Sequence, residues 1–171
     1  AAPVYVSTQG HDDGNTAGNA THPFRTIAHA VRIACRFGMR CLTVRVFPGE
    51  YHTPVVVIDR ALEVVAALAS GKSQRVVLVG TTQPALSASG SNVTVRGLAL
   101  ASAGYASAVR CTQCPELVLD DVVVTGGGVD VLDTAVLLVG SVFVGADVHI
   151  ELAKQTLNEY CGPCIYGYCV M

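Results

Sequence analysis

The feature that most constrains the fold is a repeated pattern of short apolar strands in the second half of the chain. Three segments each hold an apolar strand, a two-residue polar or glycine break, a second apolar strand and a turn of small residues: SNVTVRGLALASAG, PELVLDDVVVTGGG and AVLLVGSVFVGAD. Taking Leu78, Leu98, Val122 and Val142 as equivalent positions gives a period of about 20 to 24 residues. Because one such coil cannot bury its own apolar face and stacked coils can, the repeat predicts a solenoid.

An irregular β-sandwich is the alternative, since it also consists of short strands separated by turns. A sandwich needs a clean alternation of inward and outward residues, but VVVTGGGVDVL and TAVLLVG are almost continuously apolar. Continuous apolar strands are typical of parallel sheets. The composition, 51% hydrophobic and rich in valine, also suits strands. The sequence therefore favours the solenoid.

In one segment near the start, the apolar residues recur at the spacing of a helix and not at that of a strand. Ile27, Ala30, Val31 and Ala34 recur at i, i+3, i+4 and i+7, after Thr26 as a candidate N-cap and before Gly38 as a candidate stop. We expect a single domain with four parts: a strand and polar loop over 1–25, a helix over 26–38, coils over 42–152 and a Cys/Tyr-rich tail over 153–171. The helix is expected to cap the first coil, whose strand edges would otherwise face water.

Three motifs resemble the pectin-lyase-like superfamily. They are Pro-Phe-x-Thr-Ile-x-x-Ala at Pro23 to Ala30, Pro-Gly-x-Tyr at Pro48 to Tyr51, and Asn-Val-Thr-Val-x-Gly-Leu at Asn92 to Leu98. The resemblance covers roughly the first 145 residues. It implies an all-β, right-handed parallel β-helix with one short N-terminal capping helix. The superfamily contains polysaccharide lyases, polygalacturonases and pectin methylesterases, and also non-catalytic surface, adhesive and viral proteins.

The catalytic signatures of these enzymes are incomplete here. Ser107 stands where the methylesterase pattern has Gln, and Asp133-Thr134 lacks a preceding Gln. The first candidates for hydrolysis are the adjacent Asp120 and Asp121, one as acid and one activating water. Arg96 is the third residue to test. Adjacent strand residues point to opposite faces, so both carboxylates reach one sugar only on a turn.

The remaining candidates for a catalytic cluster are scattered. Arg96 and Arg110 stand alone in the sequence, and Asp130 and Asp133 are interpreted as turn residues. The sequence therefore favours a non-catalytic protein over an enzyme.

Seven cysteines suggest disulfides in an oxidising compartment, and the odd number leaves one sulfur for a link to another coil or another copy. The candidates are Cys35, Cys41, Cys111, Cys114, Cys161, Cys164 and Cys169. Cys35 and Cys41 are placed to join helix to coil, and Cys111 and Cys114 sit at a coil corner. Local disulfides are the leading interpretation.

Two other roles for the Cys-x-x-Cys pairs stay open. One is a zinc site between them, which would bring the tail back onto the coil carrying Cys111. The other is thiol–disulfide exchange by Cys161-Gly162-Pro163-Cys164, which needs a helix after the first cysteine. The sequons at Asn19 and Asn92 are candidate glycosylation sites.

The net charge and the hydropathy of the chain exclude two classes of partner, nucleic acids and the interior of a membrane. The net charge is −2 without a basic cluster, which predicts no nucleic-acid partner. The most apolar stretch, 131–150, is interrupted by Asp133 and Asp147, which predicts no membrane span. The loop at His11, Asp12 and Asp13 lacks a calcium-binding pattern, and we expect no metal and no cofactor.

The sequence thus predicts a secreted or surface-exposed β-helix with a structural, adhesive or assembly role in a cell wall, coat or virion. Its expected partners are other copies of itself, another surface protein or a polysaccharide. The competing hypothesis is a carbohydrate-active enzyme that acts on acidic polysaccharide.

Overall fold

The computed structural model describes residues 3–13, 18–34, 43–52, 54–58, 61–67, 75–103, 107–132, 134, 136–144 and 148–151. One helix and sixteen strands lie in these ranges. They are β1 (Val4–Val6), α1 (Ile27–Ala34), β2 (Thr43–Val46), β3 (Gly49–Tyr51), β4 (Val55–Ile58), β5 (Leu62–Ala66), β6 (Val76–Gly80), β7 (Leu86–Ser89), β8 (Val93–Arg96), β9 (Ala99–Ser102), β10 (Val109–Thr112), β11 (Leu117–Asp120), β12 (Val123–Thr125), β13 (Val129–Leu132), β14 (Val136–Val139), β15 (Val142–Val144) and β16 (Val148–Glu151).

The strands form three sheets in which every described pairing is parallel. Sheet A has the order β1-β2-β5-β8-β11-β14, sheet B has β3-β6-β9-β12-β15, and sheet C has β4-β7-β10-β13-β16. From β2 onward, successive strands join sheets A, B and C in turn, so the chain makes about four turns of a β-solenoid. The predicted parallel β-helix with one helix is confirmed, and its right-handed winding stays a prediction.

The core consists of aliphatic columns that run along the solenoid axis. In sheet A the inward residues Val44, Val64, Val95 and Leu119 pair in register from coil to coil, and each is at most 1% exposed. Sheets B and C contribute equivalent columns, Tyr51, Leu78, Leu100 and Val124 in one and Val57, Ala88, Cys111 and Val131 in the other. Each coil therefore buries its inward side chains against the coils above and below.

The register corrects the predicted repeat. Leu98 and Val122 are equivalent, because they precede the paired residues Ala99 and Val123. Leu78 instead stacks on Leu100, and Val142 stacks on Val123, so those two assignments were wrong by two residues and one residue. Successive members of the sheet A column, from Val44 to Leu138, are 20, 31, 24 and 19 residues apart, as their numbers show. The second coil is longer because its connections between strands are longer.

The helix α1 covers the first coil. It packs against β1, β2 and β4, and it buries Ile27, Ala30 and Val31. The predicted N-cap is confirmed, since the His29 amide donates to Thr26 Oγ1 over 3.2 Å. The predicted stop at Gly38 lies outside the described residues. No helix in the described part of the chain is long and apolar enough to cross a membrane.

The polar loop before the helix is tied to it by Asp12. Its Oδ1 accepts the amides of Arg25 (2.8 Å) and Thr26 (3.2 Å), and its Oδ2 accepts the Thr26 hydroxyl over 2.6 Å. Burial raises the pKa of Asp12, but the hydrogen bonds from Thr26 and Arg25, with the charge of His29, bring this pKa below 3.8 overall. Asp12 therefore holds the start of the cap.

We predict that Asp12→Ala lowers the free energy of unfolding by about 1–2 kcal/mol, since it leaves helix-start donors without their acceptor. The pKa of Asp12 is lowered by folding, so its contribution is complete above the unfolded value of 3.8 and is lost as the pH falls through the folded value. Urea unfolding of both proteins across this range should show their stabilities converging in acid. The exposed Glu116→Gln is the control; a constant gap between wild type and Asp12→Ala at all pH values would contradict the prediction.

Candidate functional site

The candidate residues Arg96 and Asp120 are neighbours on the outer face of sheet A. They end β8 and β11 and pair in register. Arg96 Nε lies 3.3 Å from Asp120 Oδ2, and Arg96 Nη1 lies 3.0 Å from Glu63 Oε1. The Thr43 hydroxyl donates to the other oxygen of Glu63 over 2.7 Å. These four side chains form one row across four coils, which we call the polar ladder.

The polar ladder has the arrangement of a structural ion-pair row. One guanidinium lies between two carboxylates, in register with Asp120 and diagonal to Glu63. All three charged side chains are about one-third to one-half exposed, so each pair adds at most about 1 kcal/mol. The carboxylate of Asp120 is occupied by Arg96, and Asp121 has no place in the row.

Asp121 lies at the next position, on the corner between sheets A and B. Its backbone is left-handed, with φ 52°, and the equivalent corners hold Gly97 (φ 70°) and Gly140 (φ 57°). A Cβ at either glycine would meet nothing closer than 3.5 Å. This corner therefore restricts the residue type by backbone conformation, and aspartate is among the few side chains that tolerate it.

The space beside Asp121 is small. A shallow pocket of about 50 Å³ is lined by Arg75, Gly97, Leu98, Ala99, Asp121 and Val123. Sites for small molecules usually measure about 300 Å³ or more. The described residues thus place the three sequence candidates close together, and among them no cleft forms in which both aspartates face a sugar.

A second ion pair lies on sheet C. Arg110 on β10 pairs in register with Asp130 on β13, and Arg110 Nε lies 3.0 Å from Asp130 Oδ2. Arg110 is therefore not alone, and Asp130 is a strand residue; both predictions were wrong. Arg110 and Asp130 are 20 residues apart, which is about the length of one coil. This spacing is the sequence signal that predicts the pair. Asp133 lies outside the described residues.

The Gly-x-Tyr turn that carries part of the family resemblance is structural. Tyr51 points inward and is buried, and its hydroxyl donates to the Phe47 carbonyl over 2.9 Å. Burial raises the pKa of Tyr51 to about 12, against a smaller opposing effect of a hydrogen bond from the Thr8 backbone. The phenol therefore stays a neutral donor that closes the first turn.

Cys111 and Cys114 form a disulfide, with their Cα atoms 5.9 Å apart. Both are buried at the corner between sheets C and A. In this bonded state neither sulfur is a thiolate that could hold zinc. Cys35, Cys41, Cys161, Cys164 and Cys169 lie outside the described residues, so their pairing stays a prediction.

The disulfide occupies a corner that two other coils close with hydroxyl groups. Ser91 donates to the Ser89 carbonyl (2.8 Å), and Thr134 donates to the Leu132 carbonyl (3.0 Å), each two residues back. Cys114 has the equivalent place, with Sγ 3.8 Å from the Thr112 carbonyl. Its amide donates to Thr134 Oγ1 over 3.1 Å, which links the two corners.

Other polar residues show no further cluster. Among the described residues, no three His, Cys, Asp or Glu side chains come together as metal ligands, and every buried side-chain nitrogen or oxygen has a hydrogen-bond partner. Both sequon asparagines are exposed. Asn19 Oδ1 accepts the amides of Thr21 and His22. Glycosylation at these positions stays a prediction.

The outer face of sheet B differs from the other two. Its partly or fully exposed outward residues from β6 to β15 are Val77, Val79, Ala101, Val123, Thr125 and Val142. None of these six side chains is charged, and the arginine–carboxylate pairs lie on sheets A and C. The edge strand β3 adds one charged outward residue to sheet B, Glu50, which pairs in register with Val77 and lies 3.1 Å from His52 Nε2. We call these six residues the apolar face.

Comparison of the chain with protein-family models, curated proteins and solved structures found no significant match.

We predict that Asp121→Ala lowers the free energy of unfolding by about 1 kcal/mol, while Asp121→Gly changes it by less than about 0.5 kcal/mol, because this backbone strains alanine, whereas glycine adopts it freely and aspartate tolerates it. Urea unfolding measures both. Equal stability of the two variants would contradict a strained corner. Asp121→Gly is then the variant that tests the carboxylate itself in any assay of polysaccharide cleavage.

We predict that Cys111→Ala with Cys114→Thr lowers the free energy of unfolding by about 2 kcal/mol, the chain-entropy value for such a short loop. The corner itself should survive, because the hydroxyl introduced by Cys114→Thr would donate as that of Thr134 does. Replacing Cys114 by Val instead removes that donor and should cost about 1 kcal/mol more. The comparison is made by urea unfolding, and equal stability of the Cys114→Thr and Cys114→Val proteins would show that the hydroxyl is not used.

Proposed function

We propose that this protein is a non-catalytic building block of an extracellular surface, and that its coils pack side by side through the apolar face. The strands of sheet B carry the proposal. β6 is VVLVG, β12 is VVT and β15 is VFV, without a polar residue on the outward side except Thr125. Parallel strands with this composition are normally buried on both faces.

The contrast with sheet A strengthens this argument. β2, β8 and β11 read TVRV, VTVR and LVLD, with apolar residues inward and with polar residues at every outward position except Val118. The outer face of sheet A thus mixes charged, polar and apolar residues, whereas the outward residues of sheet B from β6 to β15 are apolar except for Thr125. A second surface that covers sheet B would remove its valines from water. Each Å² of apolar surface buried in this way contributes about 25 cal/mol of favourable free energy.

The partner that this surface fits is another copy of the chain. The apolar face repeats small apolar side chains at the strand spacing of about 4.8 Å, so two copies can present the same residues to each other in a two-fold contact. Four strands at this spacing and about 10 Å of strand length give roughly 200 Å², well below a stable dimer interface. Such a contact is weak between free copies, and it becomes stronger where a coat or wall already holds the two copies next to each other.

The enzymatic alternative receives no comparable support from the described residues. Asp120 is paired with Arg96, and the pocket at Asp121 is small. An extracellular location suits the buried disulfide, since such bonds persist in oxidising compartments. The right-handed winding and the membership in the pectin-lyase-like superfamily are part of this proposal.

We predict that Val123→Lys weakens self-association at least tenfold, because a charge at the centre of the apolar face opposes its burial. Val118→Lys is the matched control: it lies on the same coil and points outward from sheet A. Sedimentation velocity over a concentration series measures both. Association that is equal in wild type and both variants would refute the lateral contact, and turnover of polygalacturonate that Asp121→Gly abolishes would favour the enzyme.

A further inference from the structure

Two opposite charges flank the apolar face at the corner between sheets A and B. Arg75 lies directly before β6, Asp121 lies two residues before β12, and both side chains are exposed. Val77 and Val123, two residues after them, both pair in register with Ala99 on the coil between. Arg75 and Asp121 line the same shallow pocket. The two charges therefore lie on the same rim of the apolar face, one coil on either side of β9.

These two charges are not neutralised within the described part of the chain. Arg96 and Arg110, on sheets A and C, each have a carboxylate partner, whereas neither Arg75 nor Asp121 forms an ion pair with a described residue. A half-turn about an axis along β9 exchanges the coils on its two sides. It therefore sets Arg75 of each copy against Asp121 of the other. Sheets packed face to face lie about 10 Å apart, a gap that these two side chains can bridge together.

The charge of the whole chain is divided along the solenoid in the same sense. Ten of the eleven lysines and arginines lie at or before Arg110, and eight of the thirteen acidic residues lie after it. The described residues within 75–112 include three arginines and no acidic residue, and those within 116–151 include five acidic residues and no lysine or arginine. Two copies with opposite coil order thus bring the positive coils of one to the negative coils of the other.

We propose that two copies meet through the apolar face in antiparallel order, with the two-fold axis along β9 and with reciprocal ion pairs between Arg75 and Asp121. This inference rests on the lateral contact proposed above and adds its orientation and its centre. β9 then faces β9 of the second copy, β6 faces β12, and β3 faces β15. Glu50 on the edge strand β3 lies at the end of this contact, opposite Val142 of the second copy.

Two other two-fold arrangements of the same face leave these charges opposed or unpaired. With the axis along the solenoid, every coil faces its own copy, so Arg75, Asp121 and Glu50 each meet a like charge. With the axis between β9 and β12, the coil order is again reversed, but Arg75 faces Gly140. Asp121 then faces Gly97, so neither charge gains a partner. Like charges across an interface oppose association, and unpaired ones contribute nothing to it.

The test is sedimentation velocity of the full chain over a concentration series at about 0.15 M ionic strength. Arg75→Glu should weaken self-association at least about tenfold, because it turns both ion pairs into contacts between carboxylates. Adding Asp121→Lys to Arg75→Glu should restore the wild-type value to within about threefold, because the introduced charges pair across the contact. Arg45→Glu, an exposed position on the outer face of sheet A, is the matched control with the same change in net charge, and it should leave association unchanged.

Two further variants complete the design. Lysine strains the left-handed backbone at Asp121, whereas asparagine tolerates it, so Asp121→Asn removes the charge alone and should weaken association about fivefold. Val142→Lys locates the centre of the contact. With the axis along β9 its ammonium meets Glu50, and it should weaken association much less than Val123→Lys does. With the axis between β9 and β12 it would meet Val77 and weaken association as strongly as Val123→Lys.

The failure of this inference differs from the failure of the lateral contact. Association that Val123→Lys weakens but Arg75→Glu leaves unchanged or strengthens would overturn the antiparallel arrangement and retain the contact. Asp121→Asn without any weakening would overturn it as well, even if urea unfolding showed that the variant with Asp121→Lys is destabilised. Wild-type protein that does not associate, or association that Val123→Lys leaves unchanged, would overturn both proposals.

Discussion

The structure depends on the parallel pairing of each coil with the next, which stacks inward side chains of like character into columns. A single coil of three short strands has no core of its own, so its aliphatic residues are buried only by the coils on either side. Val64 is buried because Val44 and Val95 lie above and below it. The stabilising contacts of the core are therefore those between neighbouring coils. The residues on the outer faces and at the corners can differ from coil to coil.

The corners show how much freedom the stacking leaves. Gly97, Asp121 and Gly140 occupy one corner with left-handed backbone, and Ser91, Cys114 and Thr134 close another with a donor or a disulfide. The disulfide therefore substitutes for a hydrogen bond within a repeated device and is not a separate staple. This explains why a Cys-x-x-Cys pair, which by itself suggests redox or zinc chemistry, is buried in the wall of the solenoid.

Sequence reasoning predicted the fold class, since the period and the continuous apolar strands exclude most alternatives. It predicted the helix start at Thr26, where the capping chemistry is local. It did not predict the register, because Leu78 and Leu98 look alike as aliphatic residues before a turn, and only the pairing of β6 with β9 separates them. The ion pairs were missed for the same reason. Arg110 and Asp130 are 20 residues apart and meet only when two coils are aligned.

The two ends of the solenoid differ in how far the described residues cover the core. Any stack of parallel coils ends in a column with no neighbour and in strand edges with unpaired backbone groups, which invite association with other chains. At the first coil, α1 packs against β1, β2 and β4, β1 pairs with the edge of β2, and the hydrogen bonds that Asp12 accepts fix the start of α1. At the last coil, the exposure of Leu138 shows that the fifth set of strands does not end the core by itself. An uncovered end would add an axial direction of growth to the lateral contact that we propose for sheet B.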